Sequence, residues 1–381
     1  MLGPLGSVPL ASPRQYVMLE STPAYVGAVM PPRNITYSRR FGRGKQQQQR
    51  VEVGGLIEPQ AFGGLPPAAG GGDGSIGGLA QGVVQGVIDG VEMPERPFSL
   101  RDLAGSSSYA PGGFFASSPL FPLLGQWIGV HYDYWSPISS SPRATKAVFA
   151  DGGDMESPHL MGMLLRGVRH AVVFLNFATP LQPSSGWDPH ARAPTSKDVD
   201  DDFPPFFGMT LDDWGGRTSY DFGRNQAFNQ SDFAWVVEAL QLSQASGRGA
   251  VATTELVTVE NEWWGLEAGF KVTVTWVYLS RASTWEAALP PEVRALAVPP
   301  GSGGADVTRG RSGGPFAGFP YYSTGRMYYD EGNTNLLAAL SGWVVAEHAG
   351  EITANVRMRP INVYQRGPGG RAAMAGESKG R

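Results

Sequence analysis

Residues 146–175 constrain the fold of this chain more than any other stretch. Lys146-Ala147-Val148-Phe149-Ala150 is a short apolar run suited to a buried strand. It stops at Asp151-Gly152-Gly153, a turn signal. Ser157 then offers an N-cap, with Pro158 at the first helical position. Leu160, Met161, Leu164 and Leu165 share one helical face, Arg166 sits in the last turn, and Gly167 is a natural stop. Ala171-Val172-Val173-Phe174-Leu175 is a second buried-strand run. Strand, loop, helix and strand predict a βαβ unit, with parallel strands and a right-handed crossover.

Further along, Ser231 and Asp232 precede Phe233, Val236, Val237 and Leu240, an amphipathic helix that ends before Gly247. Strands are expected over 255–259 and 270–279. In the second, Lys271, Thr273 and Thr275 alternate with Phe270, Val272, Val274 and Trp276, the pattern of an edge or antiparallel strand. Leu336, Leu337, Leu340, Trp343 and Val344 mark another helix face. The fold class that follows is mixed α/β.

Composition narrows the classes. Gly (52) and Pro (31) make up about a fifth of the 381 residues, without a G-x-y period, so collagen is excluded. The 41% hydrophobic fraction, with 10 Trp, 18 Phe and 13 Tyr, is too apolar for a fully disordered chain. Zero Cys excludes disulfides, thiolate metal sites and a cysteine nucleophile. The net charge of −4 and the lack of a basic stripe argue against nucleic acid as a partner. No apolar run reaches the roughly 18 residues needed to cross a bilayer. Met1 to Pro13 has neither a basic n-region nor an apolar h-region, so no signal peptide is expected.

Composition also divides the chain. Residues 1–63 are a leading segment, 64–96 a Gly-rich flexible insert with a Gln tract at 46–49 upstream, and 97–296 the α/β core. A Gly/Pro-rich insert covers 297–318, a C-terminal helix with its flanks covers 319–366, and 367–381 read as a disordered tail.

The sharpest local feature is Asp151-Gly152-Gly153. In open α/β sheets, ligands collect outside the carboxyl ends of strands, where Asp151 would sit. The glycines permit positive φ and let backbone or substrate approach closely. A carboxylate there could be a general base, a metal ligand, or a cap on its own turn.

The stretch from Ala150 through Asp151-Gly152-Gly153-Asp154-Met155-Glu156-Ser157, followed by Leu164-Leu165-Arg166-Gly167-Val168-Arg169 and Val172-Val173-Phe174, resembles the catalytic-aspartate segment of patatin-like and cytosolic phospholipase A proteins. Leu19-Glu20-Ser21-Thr22-Pro23-Ala24-Tyr25-Val26-Gly27, Gly54-Gly55-Leu56-Ile57-Glu58-Pro59, Phe62-Gly63 and Leu103-Ala104-Gly105-Ser106-Ser107-Ser108 resemble upstream pieces in the same order. Gly215-Gly216-Arg217, Asn225-Gln226-Ala227-Phe228 and Phe319-Pro320-Tyr321-Tyr322-Ser323-Thr324 are similar to C-terminal pieces of phospholipase B-like relatives. The resemblance implies a parallel-sheet core, incomplete at the N-terminus. It implies an acyl hydrolase of phospholipids or lysophospholipids that uses a serine–aspartate dyad without metal or cofactor. Asp151 would be the dyad base, and Gly152 and Gly153 would shape its turn. Peripheral membrane contact and a cytoplasmic or membrane-surface location are the matching expectations.

The departure matters as much. The family's serine sits in a Gly-x-Ser-x-Gly elbow before the aspartate, with oxyanion glycines earlier still, and neither is found upstream of Asp151. The one match, Gly376-Glu377-Ser378-Lys379-Gly380, lacks the flanking strand and helix an elbow needs and follows Asp151. Ser106, Ser107 and Ser108 read as turn and capping hydroxyls. Without nucleophile or oxyanion amides, this sequence by itself should not turn over an ester. Three readings stay open: a truncated sequence, a second chain that supplies the missing half, or a scaffold or binding relative that lost the nucleophile. In a half-sheet, the 146–150 strand would expose an open edge.

Other chemistry is weaker. The five histidines (131, 159, 170, 190 and 348) show no metal-binding spacing, and His159 and His170 are expected in surface or structural roles. Asp198, Asp200, Asp201 and Asp202 lack the EF-hand placement and read as a solvated loop. The Gly-rich run at 70–78 lacks the flanks of a phosphate loop. Phe114-Phe115, Phe121, Trp127 and Trp263-Trp264 are candidates for membrane contact, with core packing the expected role.

Overall fold

The computed structural model describes residues 2–4, 17–41, 45–65, 94, 98–107, 130–140, 142–149, 151–176, 178–212, 224–297, 316, 318–322 and 328–356. The Gly-rich runs at 70–78 and 301–314, the tail with Ser378, and Phe114, Phe115, Phe121 and Trp127 lie outside them.

Three small sheets organise the described residues. The first pairs β1 (Leu2–Pro4), β6 (Thr145–Phe149) and β5 (Val130–Tyr134) in the order β1-β6-β5, both pairings antiparallel. The second is a meander of β2 (Glu20–Ser21), β3 (Val26–Phe41) and β4 (Lys45–Ile57). The third has the order β7-β9-β8, from β7 (His170–Leu175), β9 (Lys271–Tyr278) and β8 (Ala250–Val257). There β7 runs parallel to β9, and β8 antiparallel to it.

Two sequence expectations are corrected here. The strands on either side of the Asp151 turn do not form a βαβ pair. β6 has β1 and β5 on its two edges, and β7 pairs instead with β9, His170 opposite Thr273. The open edge that the half-sheet reading implied for 146–150 is not found along β6, whose two sides are covered by β1 and β5, and this counts against that reading. Strand β9 is antiparallel to β8, one of the two alternatives its pattern offered, and it is central in its sheet. Its polar face runs from exposed Lys271 to fully buried Thr275, whose hydroxyl lies 2.8 Å from that of Thr253. The Gln tract also differs from its reading, since Gln46–Gln49 lie within β4 opposite Arg40–Tyr37, where β3 supplies a continuous ladder for their backbone.

The third sheet is the middle layer of an α/β/α stack. On one face, Val272, Val274, Trp276 and Tyr278 pack with Phe233, Val236, Val237 and Leu240 of α3 (Asp232–Ala245). On the other, Val251 and Val277 pack with Leu336, Leu340 and Val344 of α6 (Glu331–Glu347). Trp285 of α4 (Ser283–Ala288) and Ala297 of α5 (Pro291–Ala297) close that second cluster. Helices α1 (Leu100–Ser107), α2 (Leu160–Leu165) and α7 (Ala349–Val356) complete the described set. Mixed α/β is therefore the observed class.

Helix α2 ends as its sequence predicts. The Gly167 amide donates to the Leu164 carbonyl at 2.9 Å and the Val168 amide to Met163 at 3.2 Å, a Schellman closure with Gly167 at φ +71°. Its start differs: Ser157 is not the cap. The helix begins at Leu160, after His159 in a left-handed conformation (φ 59°). A side chain at 167 would meet nothing within 4 Å, so Gly167→Ala bears only the backbone penalty. Its expected cost is about 1 kcal/mol in denaturant unfolding.

Candidate functional site

Asp151 stands two residues beyond the end of β6, half-buried. Its Oδ1 accepts the Gly153 amide at 2.8 Å and so caps the short 3-10 turn Gly152–Asp154. Among the described residues, nothing is hydrogen-bonded to Oδ2. Neither glycine uses positive φ, contrary to expectation. Space matters at 153, where a Cβ would sit a tight 3.2 Å from Asp151 Oδ1, whereas one at 152 would meet Met18 Sδ at an ordinary 3.4 Å.

Three contacts hold the turn in place. The Asn225 side-chain amide donates to the Met155 carbonyl at 2.6 Å, and Asn225 accepts the Trp264 indole N–H at 3.1 Å. The Ser157 hydroxyl donates to Asp202 at 2.6 Å. The third contact is the carboxylate of Glu156, whose Oε1 accepts the Met161 amide at 2.9 Å and so stands in for the missing N-cap of α2.

Beneath α2 lies a charged cluster that the sequence did not reveal. Glu20 of β2 is buried and ion-paired with Arg166, whose guanidinium also bonds the Tyr25 hydroxyl. His159 Nε2 lies 3.2 Å from Glu20 Oε1. Burial works against the Glu20 charge, but hydrogen bonds from His159 and Arg166 outweigh it and hold the carboxyl near 2. The Glu20 hydrogen bond raises His159 above its usual value, against the opposing effect of burial. Glu156 goes the other way. Burial lifts it to about 7, and its Oε2 is buried without a hydrogen-bond partner.

Gly162 makes this cluster fit. A Cβ there would lie 2.6 Å from the His159 ring and 2.7 Å from Glu20 Oε1. Gly162→Ala is expected to push imidazole and carboxylate apart. In an NMR titration the raised His159 pKa then falls back toward the ordinary histidine value, whereas Gly167→Ala leaves it in place.

The acidic loop is not a solvated one. Asp198 is buried and takes both guanidinium nitrogens of Arg192, at 2.6 and 2.8 Å. Burial works against its charge, yet the Arg192 and Thr195 hydrogen bonds hold its pKa below the usual value. Asp200 accepts the Thr179 amide, and its own amide donates to Tyr278. Burial, then the neighbouring Asp202 and Asp201, push Asp200 well above the usual carboxylate range. Carboxylate oxygens of Asp200, Asp201 and Asp202 gather within 4.8 Å.

The remaining candidates resolve simply. Ser106 and Ser107 donate to carbonyls of their own helix, Asp102 and Ala104, as expected of capping hydroxyls. Ser108 lies outside the described residues. Trp264 is fully buried, and Trp263 is stacked between the guanidinium groups of Arg33 and Arg224 at 3.8 and 3.6 Å, so this pair packs inward. A pocket of about 450 Å³ lies where α3, β8, α6 and α7 meet, lined by Ser243, Arg248, Glu347, His348 and Glu351. Its charges pair internally, Arg248 with Glu347 and His348 with Glu351, and none of these residues belongs to the Asp151 turn. Among the described residues no helix is long and apolar enough to cross a membrane.

Set beside family models, curated proteins and solved structures, the chain matches none.

Proposed function

We propose that this chain carries the aspartate of a serine–aspartate acyl-ester hydrolase acting on phospholipids or lysophospholipids, with a patatin-like arrangement around Asp151. The observation that carries the reading is Asp151 itself: one carboxylate oxygen is fixed by the Gly153 amide while the other has no bond among the described residues. That is the posture a base needs, oriented by one oxygen and open at the other to accept a serine proton. Several of the segments that carry the resemblance touch one another. Glu20 pairs with Arg166, Asn225 bonds Met155 behind the turn, and Gly27 of β3 packs against the backbone of Gly55 and Leu56.

The nucleophile is the missing part. Ser157, the serine of the turn itself, donates to Asp202 instead of Asp151. The serine must come from residues other than those described, and Asp151 then acts on it as general base. A second reading rests on the same hydrogen bond: as a cap, Asp151 already has a structural task, which a scaffold or lipid-binding relative would keep after losing catalysis.

A fluorophosphonate probe separates the two. It labels a serine in the hydrolase reading, in a manner that depends on Asp151, and labels nothing in the binding reading.

A further inference from the structure

Among the described residues, Glu156 is the one buried carboxylate around the Asp151 turn with an oxygen that nothing satisfies. Its residue exposure is 4%, and Oε2 has no hydrogen-bond partner. An ionised carboxylate in that state is costly, and the neutral acid costs less. The groups facing it are known from each element. His159 lies at the start of α2, Arg166 at its end, and Glu20 comes from β2 with Tyr25 bonded behind. The cluster thus holds two carboxylates, Glu156 and Glu20, and of the two only Glu20 has cations bonded to it.

The backbone bears the same mark. His159 is the only described non-glycine residue with positive φ, and that conformation turns its ring toward Glu20. Residues 151–161 are thus held by Asp151 Oδ1 on Gly153 at one end and Glu156 Oε1 on Met161 at the other.

We propose that Glu156 is a positioning residue for Asp151 and works as a proton-operated latch: in its protonated form it keeps segment 151–161 closed, and loss of the proton releases the turn. This rests on the reading of Asp151 as the base. Burial, which holds the Glu156 proton up to about 7, supports it. The sign follows from linkage. The closed segment binds the Glu156 proton more tightly than the open one, so opening grows as pH rises from the ordinary glutamate value toward 7, then levels off. His159, raised by Glu20, adds opening in the same direction at higher pH. Glu20 changes nothing in this range, since its folded and ordinary values both lie below pH 5.

Hydrogen exchange at the Gly153 and Met161 amides tests this on the whole chain, with rates corrected for intrinsic exchange and Thr275 of β9 as a reference that opens only globally. The opening constant is expected to rise about tenfold per pH unit between pH 5 and pH 6. In Glu156→Gln, which mimics the neutral acid, it stays flat. A flat wild-type profile, or one that Glu156→Gln leaves unchanged, overturns the latch. Should Glu156→Gln not fold, His159→Asn serves, because asparagine tolerates positive φ. With the His159 titration gone, the rise between pH 5 and pH 6 belongs to Glu156 alone and must remain, and its loss is a refutation. The readout needs no substrate. A failed latch leaves Asp151's role untouched, whereas absent acyl hydrolysis refutes that role and leaves the exchange result standing.

Discussion

Asp151→Asn is expected to lower acyl-ester hydrolysis and fluorophosphonate labelling by about 10²–10⁴-fold, the range for loss of a general base. The comparison is made in the protein as it occurs in its source cells. Asparagine keeps an acceptor for the Gly153 amide and nearly the same volume, so the cap survives. Denaturant unfolding should therefore change by less than about 1 kcal/mol. Asp151→Ala removes base and cap together and should add a stability loss of about 1 kcal/mol to the same loss of activity. A variant that loses activity only in proportion to lost folding would point to a capping aspartate and nothing more.

Phe203→Ala is expected to cost about 3–5 kcal/mol in denaturant unfolding. Phe203 is fully buried, and its ring centroid lies 5.2 Å from that of Trp276 and 5.6 Å from that of Phe207. It anchors the acidic loop to the central sheet, and Asp202 of that loop bonds Ser157 in the Asp151 turn. Loss of the anchor should also loosen that turn, seen as faster exchange of the Gly153 amide. A loss under about 1 kcal/mol would mean that the loop is as solvated as its charge suggests.

What the sequence made legible was local. The helix of 232–245 and that of 331–347 followed from apolar spacing, and the Gly167 stop from a single residue. Strands 145–149 and 170–175 were visible as apolar runs, but their partners were not. Pairing is decided by which edges remain open, and β6 has both edges filled by β1 and β5, leaving none for β7. Strand β8 starts at Ala250, five residues before its expected start, because Ala250–Thr254 are small residues with weak alternation.

The site divides in the same way. Asp151 stood out because Asp-Gly-Gly is a turn signal at a strand end. Glu20, Glu156, His159 and Arg166 did not, because their meaning depends on a contact across 146 residues and on one left-handed histidine. A signal was present: Gly162 inside a six-residue helix, where glycine is disfavoured unless something must approach closely. Asn225 lay in a quoted motif but had no role until its amide was found on Met155.

The central claim is that Asp151 is the base of an acyl hydrolase whose serine lies elsewhere. The most direct measurement is fluorophosphonate labelling of the protein captured from its source cells, beside the 381-residue chain made alone. The account predicts labelling of a serine in the captured protein and its loss in Asp151→Asn, and labelling of the chain alone would place that serine within these 381 residues. Labelling that persists in Asp151→Asn, or none in the captured protein, would contradict it.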